Sequence, residues 1–195
     1  MILIIDNESK HTVDLKKYLN KRNVKYKVAK RNSKLSTIMK HRYKGVILTG
    51  GPLLYDKKID IDDVDINLAI LLELNVPILG ICFGHQTIIE AFHGKVKKAK
   101  RKISGFEEMT IIKRNVLFSG LPKVVEMFEA HIDCASVIPY NFEVIARSKS
   151  CKIEAIKHKV RKIYGVQFHP ESSGEEGYKL LDNFMKICKI RREFY

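Results

Sequence analysis

The sequence predicts an α/β fold, a three-layer sandwich with a central, mostly parallel sheet and helices on both faces. In the first half, short apolar runs rich in β-branched residues alternate with segments of helical periodicity. These runs are continuously apolar, which is typical of parallel strands buried on both faces. In the second half, strand-like segments follow one another closely. This spacing predicts antiparallel additions to the same sheet.

Four strands and three helices are predicted in the first half. A helix is expected around Val13 to Leu19, apolar residues from Ile66 to Leu74 recur at helical spacing, and the stretch 77–88 turns from a strand into a helix. The strands are expected at 2–6, 24–29, 45–51 and 76–81. In a parallel sheet of this kind, functional sites form outside the carboxyl ends of the strands.

Five further strands and a closing helix are predicted in the second half. The helix is expected from about Glu175 to Ile190. The strands are expected at 107–113, 124–130, 142–147, 152–158 and 162–168. No linker or internal repeat separates the halves, so one domain over residues 1–195 is predicted.

The chain is strongly basic, with a formal net charge of +14 over 195 residues. The charge concentrates in the runs 95–102 and 157–162 and in the pair Arg191–Arg192. A basic surface attracts nucleic acid or acidic proteins, but no aromatic residues interleave these runs to stack on bases. Nucleic acid is therefore not an expected partner, and an acidic protein partner or a merely solvated face remain open.

Four widely spaced cysteines form no CxxC pair and no Cys/His cluster at zinc spacing. This pattern predicts a reduced, cytoplasmic protein without a structural metal. The longest apolar stretch, 66–82, is interrupted by polar residues and a proline, so we expect no membrane-spanning helix. The opening segment 1–6 meets an aspartate at once and predicts a first strand, not a signal peptide.

A cysteine stands at the corner between a predicted strand and a predicted helix. The stretch Gly80–Gly84 has the form G-x-C-x-G, the layout of a nucleophile elbow with Cys82 at its centre. The flanking glycines would relieve crowding in a strained turn, and the helix N-terminus would favour the thiolate. The alternative is a buried cysteine that packs as a small hydrophobe.

A nucleophilic cysteine needs a base, and the base needs a group that orients it. The segment 164–172 runs as a predicted strand into His169, Pro170 and Glu171. In an extended chain residues i and i+2 face the same side, so His169 and Glu171 can point toward one site. A lone histidine is more often structural, but its combination with the cysteine corner favours catalysis.

A glycine turn, "LTGGP" at 48–52, ends the third predicted strand. Its carboxyl end should lie beside that of the cysteine strand. Gly51 lets a backbone N–H approach an oxyanion closely, and the N–H of Phe83 would be a second donor. By itself the turn is equally compatible with an ordinary loop.

These three motifs, in this order, resemble the class I (triad-type) glutamine amidotransferases. The elbow stands as "GICFGHQ" (80–86), the histidine–glutamate element as "GVQFHPE" (165–171) and the glycine turn as "TGGP" (49–52). The resemblance extends from Ile2 to Cys188. It implies the fold of that family and hydrolysis of L-glutamine to glutamate and ammonia, with no cofactor in this chain.

The resemblance also implies a role for each residue. Cys82 would attack the glutamine side-chain amide, and the N–H groups of Gly51 and Phe83 would hold the oxyanion. His169 would protonate the departing ammonia and then activate water against the γ-glutamyl thioester, with Glu171 orienting it. The substrate contacts implied are the side chain of Gln86 and the backbone at Ile132 and Asp133.

Three further segments resemble a branch of free-standing glutaminase subunits known from archaea. They are "HID" (131–133), "ARSKSCKIEAIKH" (146–158) and "LDNFMKIC" (181–188). The resemblance implies a separate ATP pyrophosphatase subunit that binds ATP and Mg and uses the ammonia to convert XMP to GMP. No S-G-G-x-D-S phosphate loop occurs in this chain, so a partner is expected to activate the nucleotide.

The sequence differs from that branch at three places. The first loop is "DNESK" (6–10) where an asparagine–glycine–glycine–glutamine run is usual, and "SSGEEG" (172–177) follows the catalytic glutamate. Phe83 replaces the usual leucine. A serine after the glutamate is commoner in the anthranilate and aminodeoxychorismate synthase branch.

Three other functions therefore stay open. The chain could serve an anthranilate or aminodeoxychorismate synthase, or act as a stand-alone γ-glutamyl hydrolase. Gln86 and the segment 131–133 argue against the hydrolase, because they resemble a site for free glutamine. The third alternative, from a different class, is a basic binding module with an unused triad.

Overall fold

The computed structural model describes residues 1–51 and 66–190. Within these ranges the strands are β1 (Ile2–Asp6), β2 (Tyr26–Lys30), β3 (Gly45–Leu48), β4 (Ile78–Ile81), β5 (Lys95–Ile111), β6 (Val124–Val137), β7 (Phe142–Ser148), β8 (Ala155–His158) and β9 (Ile163–Val166). The helices are α1 (Thr12–Lys21), α2 (Leu35–Ile38), α3 (Ile66–Glu73), α4 (Phe83–Ala91) and α5 (Gly174–Ile187). Short 3-10 turns occupy Val116–Phe118 and Pro170–Ser172.

All the described strands join one sheet in the order β2-β1-β3-β4-β9-β8-β7-β5-β6. The first five of these pair in parallel, and the four remaining pairings are antiparallel. The predicted α/β class is confirmed. The sheet is mixed, however, with parallel and antiparallel pairings in equal number among the described residues.

Strand β9 is the main departure from the predicted organisation. The segment 162–168 was expected among the antiparallel additions, but Ile163–Val166 pairs in parallel with β4. Its other edge is antiparallel to β8. All four residues of β9 are buried, as is typical of a strand covered on both faces. The pairing therefore changes from parallel to antiparallel at β9, in the interior of the sheet.

Two strands are much longer than the sequence predicted. β5 covers 17 residues and β6 covers 14. The two pair along most of their length, with irregularities between Lys95 and Val96 and between Lys98 and Ile103. The basic run 95–102 lies on β5, where cross-strand hydrogen bonds to β6 override its low apolar content.

Helices cover both faces of the sheet, as predicted. On β1, Ile2 and Ile4 pack with α1 and α5, whereas Leu3 and Ile5 pack with α2, α3 and α4. This division follows from the alternation of side chains along a strand.

Some predicted features lie outside the described residues. Pro52 of the glycine turn and the pair Arg191–Arg192 are among them. Within 1–51 and 66–190, no helix has both the length and the apolarity needed to cross a membrane. The prediction of one domain over residues 1–195 stays a prediction.

Candidate active site

The junction between β4 and α4 places Cys82 in a strained backbone conformation. Its φ is 50° and its ψ is −103°, in a region that non-glycine residues rarely adopt. The amide of Cys82 donates to the carbonyl of Val166 at 2.8 Å, and its carbonyl accepts from the Gln86 amide at 3.0 Å. The thiol thus stands at the start of a helix, held by β9 on one side and by α4 on the other.

The glycines beside the elbow are required by close backbone contacts. A Cβ atom at Gly80 would lie 2.5 Å from the carbonyl oxygen of Gly84, and one at Gly84 would lie 2.3 Å from that of Leu48. Both distances are far below van der Waals contact, so a side chain at either position would displace α4 from the sheet. These close contacts explain why glycine occupies both positions, as a nucleophile elbow requires.

His169 and Glu171 follow β9 and face each other. The Nδ1 atom of His169 lies 2.9 Å from a carboxylate oxygen of Glu171, and both side chains are buried. The backbone of His169 is clamped from two sides. Its amide donates to the carbonyl of Phe128 at 2.8 Å, and the hydroxyl of Ser173 donates to its carbonyl at 2.6 Å.

The charge state of His169 follows from its neighbours. Burial by itself lowers the pKa of the imidazole, but Glu171 and Cys82 outweigh it and raise the pKa to about 10. His169 therefore holds a proton at neutral pH. An imidazolium between a carboxylate and a sulfur can stabilise a thiolate and can donate a proton to a leaving group.

The glycine turn closes the other side of the site. The Asn7 amide donates to the hydroxyl of Thr49 at 2.9 Å, and its side chain donates to the Thr49 carbonyl at 3.1 Å. A Cβ atom at Gly51 would lie 2.6 Å from the Asn7 carbonyl oxygen and 3.2 Å from the ring of Phe83. One at Gly50 would lie 3.0 Å from His169 Cε1. The turn thus lies against both the elbow and the histidine.

The predicted substrate contacts meet at one end of α4. The side-chain amide of Gln86 donates to the carbonyl of Asp133 at 2.9 Å. Ile132 is half-buried and stands opposite the irregularity between Lys98 and Ile103 in β5, where the ladder has no partner for it. The backbone at 132–133 is thereby held beside Gln86 and partly released from regular pairing.

The structure adds Gln167, which the sequence analysis missed. Its side-chain amide lies 3.6 Å from the sulfur of Cys82, and its oxygen accepts from Gln86 at 3.2 Å. Gln167 is fully buried and so links the elbow to the predicted substrate contact. Its position two residues before His169 was the available signal, because alternate residues of an extended chain share a side.

A second group of ionisable residues lies on β6. His131 Nε2 is 3.0 Å from a carboxylate oxygen of Glu129, and its Nδ1 is 3.8 Å from the sulfur of Cys134. Burial lowers the pKa of His131, but the contacts with Cys134 and Glu129 prevail and raise it to about 11. This pair lies on β6 beside the segment 132–133.

Three carboxylates next to this group could also hold a metal ion. Oxygen atoms of Glu107, Glu129 and Glu154 lie within 4.8 Å of one another. Ser148 donates to Glu154 at 2.6 Å, and Ser150 donates to Glu107. Burial, and then the charge of Glu129, raise the pKa of Glu154 well above its usual range. Burial thus favours a proton on Glu154 in the metal-free protein, which reduces repulsion among the three carboxylates.

Comparisons with known proteins agree with this geometry. The family model "Glutamine amidotransferase class-I" matches residues 3–188. The chain is 39% identical to a glutamine-hydrolyzing GMP synthase subunit of Pyrococcus furiosus, over 96% of this chain and 98% of that protein. It is 36% identical to the protein of the same name from Methanocaldococcus jannaschii, over 99% of this chain and all of that protein (100%).

Two solved structures share the fold. A putative GMP synthase subunit from Thermoplasma acidophilum superposes with a TM-score of 0.86 at 29% identity, covering 96% of this chain and 93% of that one. A glutamine amidotransferase from Thermotoga maritima gives a TM-score of 0.71 at 18% identity, covering 98% and 86%, which supports the fold alone. On the family match, the relatives and the fold together, this chain belongs to the class-I glutamine amidotransferase family.

Proposed function

We propose that this chain is a glutaminase subunit that hydrolyses L-glutamine to glutamate and ammonia and supplies the ammonia to a separate ATP pyrophosphatase subunit that converts XMP to GMP. One observation carries the chemistry: Cys82 stands on a strained elbow, and the buried pair His169–Glu171 follows the strand beside it. The names of the archaeal relatives support the choice of partner.

The first half-reaction begins when the sulfur of Cys82 attacks the side-chain carbonyl carbon of glutamine. The developing oxyanion is held by the backbone N–H groups of Gly51 and Phe83. His169, which carries a proton at neutral pH, donates it to the departing ammonia. The C–N bond breaks and a γ-glutamyl thioester with Cys82 remains.

The second half-reaction is hydrolysis of the thioester. His169, neutral after donating its proton, takes a proton from water, which attacks the thioester carbonyl. Glu171 holds the imidazole through Nδ1 and stabilises its positive charge. The C–S bond breaks, glutamate leaves, and Cys82 and His169 return to their starting state.

The substrate is recognised by residues of α4 and β6. Gln86 contacts the bound glutamine, and the backbone of Ile132 and Asp133 binds its α-amino and α-carboxylate groups. The existing link between Gln86 and the Asp133 carbonyl supports this assignment, because it holds these contacts together before the substrate arrives.

The proposal needs no cofactor and no metal in this chain, since ATP and Mg belong to the synthetase subunit. It places the protein in the cytoplasm and treats residues 1–195 as one amidotransferase domain. The basic runs 95–102 and 157–162 are candidates for docking the partner, given the net charge of +14. Nucleic acid and membrane are not proposed partners.

The decisive experiment measures glutamate release by the purified chain, alone and with an archaeal ATP pyrophosphatase subunit, XMP and Mg-ATP. We expect low release alone, because such sites are often completed by closure on the partner. A large rise accompanied by GMP formation is the expected result. Release that ignores the partner would overturn the assignment to GMP synthesis.

One observation favours a second partner. Ser172 directly follows Glu171, as is commoner in the branch that serves anthranilate and aminodeoxychorismate synthases. A parallel assay with an anthranilate synthase component and chorismate distinguishes the two. Stimulation there and not with the ATP pyrophosphatase would reassign the chain.

A further inference from the structure

His11 lies directly against the proposed general base. It stands in the loop that leads from β1 into α1 and is the residue before the helix. Its ring centroid is 4.2 Å from that of His169, with an angle of 35° between the planes. Phe128, whose carbonyl holds the His169 amide, packs on His11 from another side with centroids 5.6 Å apart.

Hydrogen bonds fix the orientation of the His11 ring. Its Nδ1 atom is 2.8 Å from the hydroxyl of Ser172, which is 3.3 Å from a carboxylate oxygen of Asp14. The Asp14 carboxylate can only accept, so the Ser172 hydroxyl donates to it. The hydrogen-bond pattern then assigns the proton of neutral His11 to Nδ1, which donates to Ser172.

This contact joins two loops that differ from the family pattern. His11 directly follows the segment 6–10, and Ser172 begins the segment 172–177. The two segments are more than 150 residues apart in the chain, at a separation of 161 between His11 and Ser172. The contact of His11 with Ser172 therefore lies next to both segments, against the ring of His169.

We propose that His11 is a positioning residue for His169: its ring, held by Ser172 and Asp14, packs on the imidazole and keeps it facing Cys82. The inference rests on the proposed glutaminase function. The Nδ1 atom of His169 is already engaged by Glu171, which fixes one ring atom but does not by itself fix the tilt of the ring plane. A ring packed 4.2 Å away removes this freedom and so restricts Nε2 to the direction of the sulfur.

The charges around the two rings agree with this role. Burial, and then the charge of His169, lower the pKa of His11, while Glu171 and Asp14 act to raise it and Lys10 to lower it. His11 is therefore neutral at neutral pH and packs against the protonated His169 without adding a second positive charge. Protonation of His11 in acid would put two cations in contact and displace His169.

The test compares His11→Ala, His11→Phe and Ser172→Ala by steady-state glutaminase kinetics in the full complex with the synthetase subunit. We expect His11→Ala to lower kcat about tenfold with little change in KM, because a misaligned base affects the chemical step. His11→Phe restores the packed ring, so its kcat should lie within about threefold of the wild type. Ser172→Ala should have an intermediate effect.

The pH profile provides a readout that a purely structural role would not move. Since His11→Phe cannot become a second cation, its kcat should persist to lower pH than that of the wild type. His41→Ala is the matched control, because His41 is exposed and pairs only with Lys27 among the described contacts of its side-chain nitrogens. Its kcat and pH profile should equal those of the wild type.

Three results would overturn the inference. They are a wild-type kcat in His11→Ala, a loss that appears only in KM, and a His11→Phe enzyme as slow as His11→Ala. If His11→Ala fails to fold, Ser172→Ala and His11→Phe still decide the question. Failure of the proposed function itself is distinguishable, because the wild-type enzyme would then release no glutamate, or would release it at a rate that the synthetase subunit does not change.

Discussion

Two groups with the same three residue types are buried in this protein: Cys82, His169 and Glu171 beside the parallel strands, and Cys134, His131 and Glu129 on β6. In each, the histidine and glutamate are two residues apart along the chain. The nitrogen–oxygen distance is 2.9 Å in the first group and 3.0 Å in the second. Composition and spacing therefore do not distinguish the candidate active site from the group on β6.

The backbone of the cysteine makes the difference. Cys82 has a positive φ at the start of α4, which turns its sulfur out of the sheet toward His169. Cys134 occupies a regular position in β6 opposite Lys97. Its pKa is lowered to about 6 by a hydrogen bond with Cys151 and by His131, yet it has no elbow. A cysteine with a lowered pKa can act as a nucleophile only where the backbone exposes its sulfur to a substrate.

The largest effect should come from removing each cysteine in turn. Cys82→Ala eliminates the nucleophile, so we expect glutamate release to fall by about 10⁴-fold or more. Cys134→Ala should leave kcat within about threefold of the wild type, because that thiol is enclosed in the strand. Both variants would be assayed with the synthetase subunit, with circular dichroism to establish folding. A folded Cys82→Ala with substantial activity would contradict the assignment of the nucleophile.

Glycine substitutions compare the backbone at the elbow with the backbone of β5. Gly84→Ala forces a Cβ atom to 2.3 Å from the Leu48 carbonyl, and we expect it to lower the free energy of unfolding by about 3 kcal/mol. Gly105→Ala on β5 meets no atom within 4 Å, although its φ is +114°, so a cost of about 1 kcal/mol is expected from strain alone. Urea denaturation measures both. Equal losses would show that the elbow is not sterically special.

The smallest difference between the two groups is expected in how the free energy of unfolding depends on pH. The pKa of His169 is about 10 in the folded protein against about 6.5 when unfolded. The contribution of His169 to the free energy of unfolding is therefore complete below pH 6.5 and is lost as the pH rises toward 10. Glu171→Gln removes the carboxylate that raises this pKa, and should flatten the decline between pH 7 and 9 by about 1 kcal/mol.

The second group should not show this dependence. The pKa of His131 is about 11, so its contribution also falls as the pH rises above 6.5. The pKa of Cys134 is about 6 against 9.0 unfolded, so its contribution grows over much of the same range and offsets that of His131. Glu129→Gln removes a carboxylate that raises the pKa of His131 and leaves the contribution of Cys134, so the slope of stability against pH should become more positive in urea titrations at pH 7, 8 and 9. An unchanged slope in Glu129→Gln would contradict this compensation.

Much of the candidate site could be predicted from local sequence. Gly80 and Gly84 mark the elbow because only glycine tolerates the contacts there, and the i, i+2 spacing of His169 and Glu171 follows from an extended chain. The parallel strands β1, β3 and β4 were recognisable because burial on both faces requires continuous apolar runs. These features depend on neighbours a few residues away, so local patterns are sufficient to reveal them.

Other features were decided only by tertiary structure. The pairing of β9 with β4 joins segments more than 80 residues apart, with a separation of 85 between Gln167 and Cys82, and no local periodicity specifies that partner. The same holds for the start of the long β5 strand, where Lys95, Lys97 and Lys98 pair with β6. The contact of Gln167 with Cys82 and the packing of His11 on His169 appear only once distant strands and loops meet. Local residues determined which chemistry was available, whereas strand order and loop packing determined which atoms face one another, because long-range pairing depends on the whole sheet.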